Sequence, residues 1–393
     1  MHDTWFTRPR RLAGVMTGTS LDAVDVAFAE FSMEDGRPRM SGVRGFSSPL
    51  SQEERRGLQS IISEPGRIGR VNDYHVWLSH RIASVVRAGC EAAGIAPESL
   101  DAVGMHGQTV WHEPAEHRLH GIPLRATLQL GSVSTLAVLL GTRVVGDFRA
   151  ADVALGGQGA PLVPRFDADF LKDQHQEVMA LNIGGMANVT LLPAGGDDHH
   201  VRAFDTGPGN VWIDHAMERW FAKRYDEDGT CARGGKVNSE VFEALRRLEF
   251  ITAPPPKSTG RETFSAERLD AVISSCSADI EPRDVVHTLT RFTAWSIAEN
   301  VRRYGWPDAR LVISGGGSRN RFLMELLQQE LPEATMVRSD SVGIPSEWKE
   351  CLCFAYLAYR TMGGLPSNMP SVTGAVRSAV LGVVADPGGG NPS

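Results

Sequence analysis

Two short segments carry glycine beside hydroxyl, amide and carboxylate side chains: Met16-Thr17-Gly18-Thr19-Ser20-Leu21-Asp22 and Asn182-Ile183-Gly184-Gly185-Met186-Ala187-Asn188. Each lies between apolar, β-branched runs, so each reads as strand, tight turn, strand. A glycine turn has no Cβ to hold a polyphosphate away, and its amides can face the anion. One such turn is weak evidence, because hairpins need glycine for steric reasons alone; a matching pair in the two halves of the chain predicts a two-lobed phosphate clamp. Gly315-Gly316-Gly317-Ser318-Arg319-Asn320 follows the apolar Leu311-Val312-Ile313 and opens a helix, the place where an anion or a flat base can meet backbone amides. The plain alternative is an ordinary strand-to-helix turn.

Phe204-Asp205-Thr206-Gly207-Pro208-Gly209-Asn210 ends a strand on a carboxylate, at the edge where open α/β sheets meet ligands. Asp205 could deprotonate a hydroxyl or a water, hold a metal, or only shape the turn. Asp147-Phe148-Arg149 and Asp152 precede Gly156-Gly157-Gln158-Gly159-Ala160-Pro161-Leu162, which suits either a closing substrate loop or a salt-bridged anchor. His106 and Gln108 flank Gly107 after another strand, as ligand contacts or as satisfied buried groups. His112, His117 and His120 are too irregularly spaced for a metal and read as a solvated loop. Lys257-Ser258-Thr259-Gly260-Arg261-Glu262, stiffened by Pro254-Pro255-Pro256, offers donors to an anion.

These segments need elements to place them. Strands are expected near 11–17, 23–31, 41–47, 101–106, 126–130 and 143–148, with helices near 51–62, 74–94 and 132–141. The order returns with strands near 178–183, 187–193, 201–205, 310–314 and 334–338 and helices near 210–222, 238–248, 283–303 and 319–330. A last helix near 347–362 precedes a Gly- and Pro-rich tail, disordered from Pro387. The fold class expected is α/β, two duplicated ribonuclease-H-like lobes as in the actin-like ATPases, with nucleotide in the cleft between them. The lobes are placed at 1–177 and 178–393. No Gly-x-Gly-x-x-Gly opens the first helix and no Gly-Lys-Ser or Gly-Lys-Thr occurs, which removes the Rossmann and P-loop readings.

The 393 residues suit two domains, and a net charge of -7 leaves no basic footprint for nucleic acid. The N-terminal stretch has no signal-peptide core and no apolar run could span a bilayer, so a cytoplasmic protein is expected. Five scattered cysteines give no disulfide framework; Cys351 and Cys353 point away from each other on one helix.

Together, Thr17 to Asp22, His106 to Thr109, Asp147 to Arg149, Gly156 to Leu162, Asn182 to Thr190, Phe204 to Asn210, Pro255 to Glu262, Gly315 to Gly317 and Lys349-Glu350 resemble the anhydro-N-acetylmuramic acid kinases. The resemblance runs from about 12 to 362. It implies cleavage of a 1,6-anhydro sugar with phosphorylation of its O6, using ATP and Mg²⁺ held mainly by the phosphates and water. It makes Asp205 the base that activates a water. It assigns Gly18, Thr19, Ser20, Leu21, Asp22, Asp25, Gly184, Gly185, Asn188, Gly207, Gly209, Asn210, Gly315, Gly316 and Gly317 to nucleotide and phosphate, and implies a homodimer. Thr17, His106, Gln108, Ser132, Arg149, Asp167 and Glu350 would face the sugar.

Four positions depart from the family's usual residues: Thr17 for Ser, Ala23 for Gly, Ser132 for Asn and Asp167 for His. Asp at 167 is similar to the levoglucosan kinases, which act on 1,6-anhydroglucose, and an acid there does not help to hold a lactyl carboxylate. His112-Glu113-Pro114-Ala115 looks more like the muramic branch. The muramic sugar is therefore expected, with 1,6-anhydroglucose as the alternative. An ordinary transfer to a free hydroxyl and a non-catalytic sugar or nucleotide sensor are the other readings.

Overall fold

A computed structural model describes residues 4–18, 21–64, 66–260, 262–276 and 280–388. It divides into two compact units, Met1–Phe170 with Trp348–Ser393, and Leu171–Glu347.

In the first unit, β1 (Arg10–Thr17), β2 (Ala23–Glu34) and β3 (Arg37–Pro49) form an antiparallel meander. β4 (Ala102–Met105) lies parallel beside β1. A separate ribbon of β5 (Gln108–Leu119) and β6 (Ile122–Leu130) follows, and then β7 (Val144–Gly146), parallel to β4. The second unit repeats the plan with β8 (Val178–Ile183), β9 (Met186–Leu192), β10 (Arg202–Pro208), β11 (Arg310–Ser314) and β12 (Thr335–Arg338). The strand orders β3-β2-β1-β4-β7 and β10-β9-β8-β11-β12 are the same, with the same directions. This is the expected duplicated ribonuclease-H-like plan of the actin-like ATPases. Its cause is legible in the strands: β4, at the centre of its sheet, is buried at every residue, whereas β3, at the edge, alternates.

The closing helix Lys349–Met362 belongs to the first unit, not to the second lobe where sequence order had placed it. It lies so close on β1 and β4 that a Cβ at Gly14 would sit 1.8 Å from the Cys351 carbonyl oxygen, and one at Gly104 2.1 Å from that of Phe354. Two glycines in central strands thus allow a helix apolar on nearly every side to bury Cys351 to Tyr359. The chain after it also returns to the first sheet, where β13 (Val383–Ala385) pairs antiparallel with β7. The predicted disordered tail falls largely on 389–393, outside the described residues. The loop expected around His112 is instead strand β5, its irregular apolar spacing caused by two register shifts against β6.

Candidate active site

In the second unit, register brings the predicted segments to one sheet edge. Ser314 pairs with Asn182, Asn182 with Asn188, and Asn188 with Asp205, a polar row across four neighbouring strands. Asn182, Asn188 and Asp205 are half-buried while their chain neighbours Ile183, Ala187 and Phe204 are buried, the alternation a pleated strand imposes. The parallel strands β8 and β11 end side by side, so the Gly184-Gly185 turn and the Gly315 to Gly317 turn lie together at their C-terminal edge.

The glycines there divide by what surrounds them. A Cβ at Gly185 would meet nothing within 4 Å, and one at Gly316 only the Asn210 amide nitrogen at 3.8 Å, so both turns present bare backbone to open space. Gly315 has φ of 83° and no room for a side chain, with Asn182 Oδ1 and the Ile183 carbonyl oxygen both at 2.6 Å. Gly209 and Asn210 donate their amides to the carbonyls of Gly185 and Gly184, each at 2.8 Å. Those amides therefore hold the hairpin against the helix Val211–Phe221 and are not offered to an anion.

Asp205 precedes a bulge in β10, beyond which Gly207 pairs with Ala187. Its Oδ2 accepts the Thr259 amide at 2.7 Å, and its own amide donates to the Lys257 carbonyl at 3.1 Å, so the proline-stiffened loop zips onto the strand beside the carboxylate. Burial pushes the Asp205 carboxyl up to about 6 against the opposing pull of the Thr259 amide and the Lys257 charge. Lys257 does not serve as the anion donor expected of it. Its ammonium donates to the Phe250 and Ile251 carbonyls at 2.9 and 3.0 Å, and burial and the Arg303 charge push it down to about 8. Thr259 keeps a buried hydroxyl without a partner among the described residues.

In the first unit the candidates follow the C-terminal ends of the parallel strands β1, β4 and β7: Thr17, His106 with Gln108, and Arg149. Arg149 donates from Nε and Nη2 to His106 Nε2, at 3.0 and 2.8 Å, and from Nη1 to the Gly159 carbonyl at 2.7 Å. An imidazole nitrogen that accepts from a guanidinium carries no proton, so His106 is neutral with its proton on Nδ1, donating to the Gly107 carbonyl at 2.7 Å. Burial and Arg149 hold its titration well below the usual range. Both ring nitrogens are thus committed, and His106 orients Arg149 where a direct sugar contact was expected. Arg149 itself is pushed down to about 10 by burial, with Glu350 opposing. Glu350, in the first turn of the helix Lys349–Met362, is exposed. Thr17 Oγ1 and Gln108 Oε1 are buried and have no partner among the described residues, leaving two polar atoms for a ligand.

Other expected contact residues have protein partners. Asp167, 2% exposed, lies 2.7 Å from Lys349 Nζ in a buried ion pair. Ser132 caps the helix Val133–Leu140, accepting from the Thr135 amide at 3.2 Å. Asp22 pairs with Arg55 at 3.0 Å, and Asp25 accepts from the Ser47 hydroxyl at 2.5 Å, so both carboxylates brace the first hairpin. The left-handed residue there is Leu21, φ 55°, which leaves Ala23 in regular strand and its methyl tolerated. Thr19 and Ser20 lie outside the described residues, and Gly18 accepts the Leu21 amide at 3.0 Å. His112, set aside in the sequence, lies 3.5 Å from the Cβ position of Gly159, and hydrogen-bonds Thr127 Oγ1 at 3.0 Å. Only the β5–β6 register could have shown this.

A duplicated actin-like ATPase fold, with a raised carboxylate at the C-terminal sheet edge and bare glycine turns beside it, defines a phosphoryl-transfer enzyme of the sugar-kinase kind. More narrowly, the chain belongs to the anhydro-N-acetylmuramic acid kinase family, whose profile matches residues 10–387. It is 38% identical over 380 residues to an anhydro-N-acetylmuramic acid kinase of Saccharophagus degradans, covering 97% of this chain and all of that one. It is accordingly an ATP-dependent carbohydrate kinase of that family. Among solved structures, an activator of 2-hydroxyisocaproyl-CoA dehydratase from Clostridium difficile with bound ADPNP gives a TM-score of 0.44 at 11% identity, over 90% of this chain and 95% of that chain. A ROK family glucokinase from Streptomyces griseus with glucose and AMPPNP gives 0.38 at 14%, over 88% and 98%. At these scores the repeated strand order, not superposition, defines the fold.

Proposed function

We propose that the chain converts 1,6-anhydro-N-acetylmuramic acid, water and ATP into N-acetylmuramic acid 6-phosphate and ADP, with Asp205 as the base. The observation that carries this reading is Asp205 itself: a half-buried carboxylate, raised to about 6, set in a polar strand row beside the open Gly184-Gly185 turn. Asp205 takes a proton from a water as that water's oxygen bonds to the anomeric carbon. The C1–O6 bond breaks, O6 attacks the γ-phosphorus, and ADP departs with the bridging oxygen. A carboxylate near pH 6 is ionised at neutral pH yet basic enough to help a weak nucleophile. Amides of the Gly184-Gly185 and Gly315 to Gly317 turns receive the phosphates. Magnesium, carried by the phosphates of ATP, supplies further charge neutralisation. Among the described residues no three His, Cys, Asp or Glu side chains converge to hold it.

For the sugar, the reading uses Arg149 as the cation and, as polar contacts, Thr17 Oγ1 and Gln108 Oε1, which have no partner among the described residues. Asp167, the feature that favoured 1,6-anhydroglucose, forms a buried ion pair with Lys349, so this reading gives it a structural role and keeps that sugar as the alternative. A homodimer, by family resemblance, and a cytoplasmic location are part of the proposal; among the described residues no helix is long and apolar enough to cross a membrane. The test is ADP release with Mg-ATP on the two anhydro sugars at equal concentration, with a reducing-end assay of the product. Turnover of the muramic sugar to a reducing sugar phosphate is expected. Turnover of 1,6-anhydroglucose alone would overturn the substrate, and silence on both the kinase reading.

A further inference from the structure

Asp152 is fully buried, and no ion pair to it occurs among the described residues. Three donors converge on its carboxylate instead. Oδ2 accepts the Gly159 amide at 2.8 Å; Oδ1 accepts Asn368 Nδ2 at 2.8 Å and the Thr373 hydroxyl at 2.7 Å. Its backbone carbonyl accepts the Gly157 amide at 2.9 Å, and a Cβ on Gly157 would lie 2.2 Å from Oδ2, so the loop wraps the carboxylate without a gap. The Gln158 amide donates to the Thr373 carbonyl at 2.8 Å, tying the same loop to the segment after the closing helix.

The Gly159 residue is therefore held from both sides. Its N–H is fixed by Asp152, and its C=O receives Arg149 Nη1 at 2.7 Å. Arg149 has its remaining anchor at His106 Nε2. With φ of 67° at Gly159 and Val153 Cγ2 2.7 Å from its Cβ position, no other residue can carry that carbonyl in place. We propose that Asp152 is a positioning residue of the sugar site: it presets the Gly156 to Gly159 loop so that the Gly159 carbonyl aims the Arg149 guanidinium at an anionic or hydroxyl-rich sugar. The inference rests on the reading of Arg149 as the sugar's cationic contact. Its physical basis is preorganisation, since a guanidinium held on two acceptors before binding loses little freedom when substrate arrives.

Asp152→Asn is the informative change. The Gly159 N–H can only donate, and Asn368 is held with its Nδ2 toward position 152 because its Oδ1 accepts the Ala379 amide at 2.6 Å, so an NH₂ at position 152 must face one donor or the other, whichever way the amide is turned. Steady-state kinetics on the full chain would measure KM for 1,6-anhydro-N-acetylmuramic acid and for ATP separately, in Asp152→Asn, Arg149→Lys and the double variant. The expected result is an increase of about tenfold in the sugar KM for Asp152→Asn, with ATP KM unchanged, and little further increase in the Arg149→Lys background. An equal effect in both backgrounds, or none in either, overturns the positioning role. Arg149→Lys without effect on the sugar KM would remove the sugar-contact reading and the inference with it. Should Asp152→Asn fail to fold, Thr373→Val deletes one donor at constant shape and carries the same cycle, with a smaller rise expected.

Discussion

Replacing Asp167 by Asn separates a sugar-reading role for this side chain from the structural one that its surroundings give it. Asp167 and Lys349 are 2% and 5% exposed and 2.7 Å apart, joining the helix Val163–Leu171 to the first turn of the closing helix. At an effective dielectric near 20 their attraction is about 6 kcal/mol, most of it offset by the loss of hydration. Removing one partner leaves Lys349, which has no other ion pair among the described residues, buried with its charge. The net loss expected is about 3–5 kcal/mol. For a unit of this size that corresponds to roughly 10 °C in Tm. Thermal and urea unfolding of Asp167→Asn, Lys349→Met and the double variant would measure it. Each single variant should be strongly destabilised, and the double variant should regain most of the loss. Asp167→His should likewise lose stability without exchanging one anhydro sugar for the other. A single variant within about 0.5 kcal/mol of the parent, a surface-like effect, or a clean switch of sugar preference would refute the reasoning.

Asp205→Asn should lower turnover by about 10²-fold or more while ATP binding, read by calorimetry, persists; retained turnover would exclude Asp205 as the base. Because the ionised carboxylate is the active form, activity should fall as pH drops through about 6. Lys257→Met removes a positive charge that favours the carboxylate, so it should move that acid limb upward; a limb unmoved, or moved down, would contradict the assignment. Gly185→Ala should leave Tm unchanged, since its Cβ meets nothing within 4 Å, but raise the KM for ATP. Gly209→Ala, whose Cβ would lie 2.2 Å from the Gly184 carbonyl oxygen, should instead destabilise the fold, and equal behaviour of the two would argue against a phosphate role for the hairpin.

The duplicated order of strands and helices was legible in the residues, because period-two and period-3.6 apolar patterns and glycine turns are local properties. The sequence also marked Asp205, the two hairpins and the glycine turn, and through long ordered motifs it pointed to the family. Partnership across the chain was not legible, because it depends on register and on which elements pack. Asp167 reads in the sequence as a specificity residue, and only packing shows Lys349 against it; His106 reads as a sugar contact, and only packing shows Arg149 on its remaining nitrogen. The closing helix read as part of the second lobe because it follows that lobe in sequence; only the space above Gly14 and Gly104 assigned it to the first. Residue types limit the chemistry a side chain can do, but its partners, distant in sequence and fixed by tertiary packing, decide which part of that chemistry remains available.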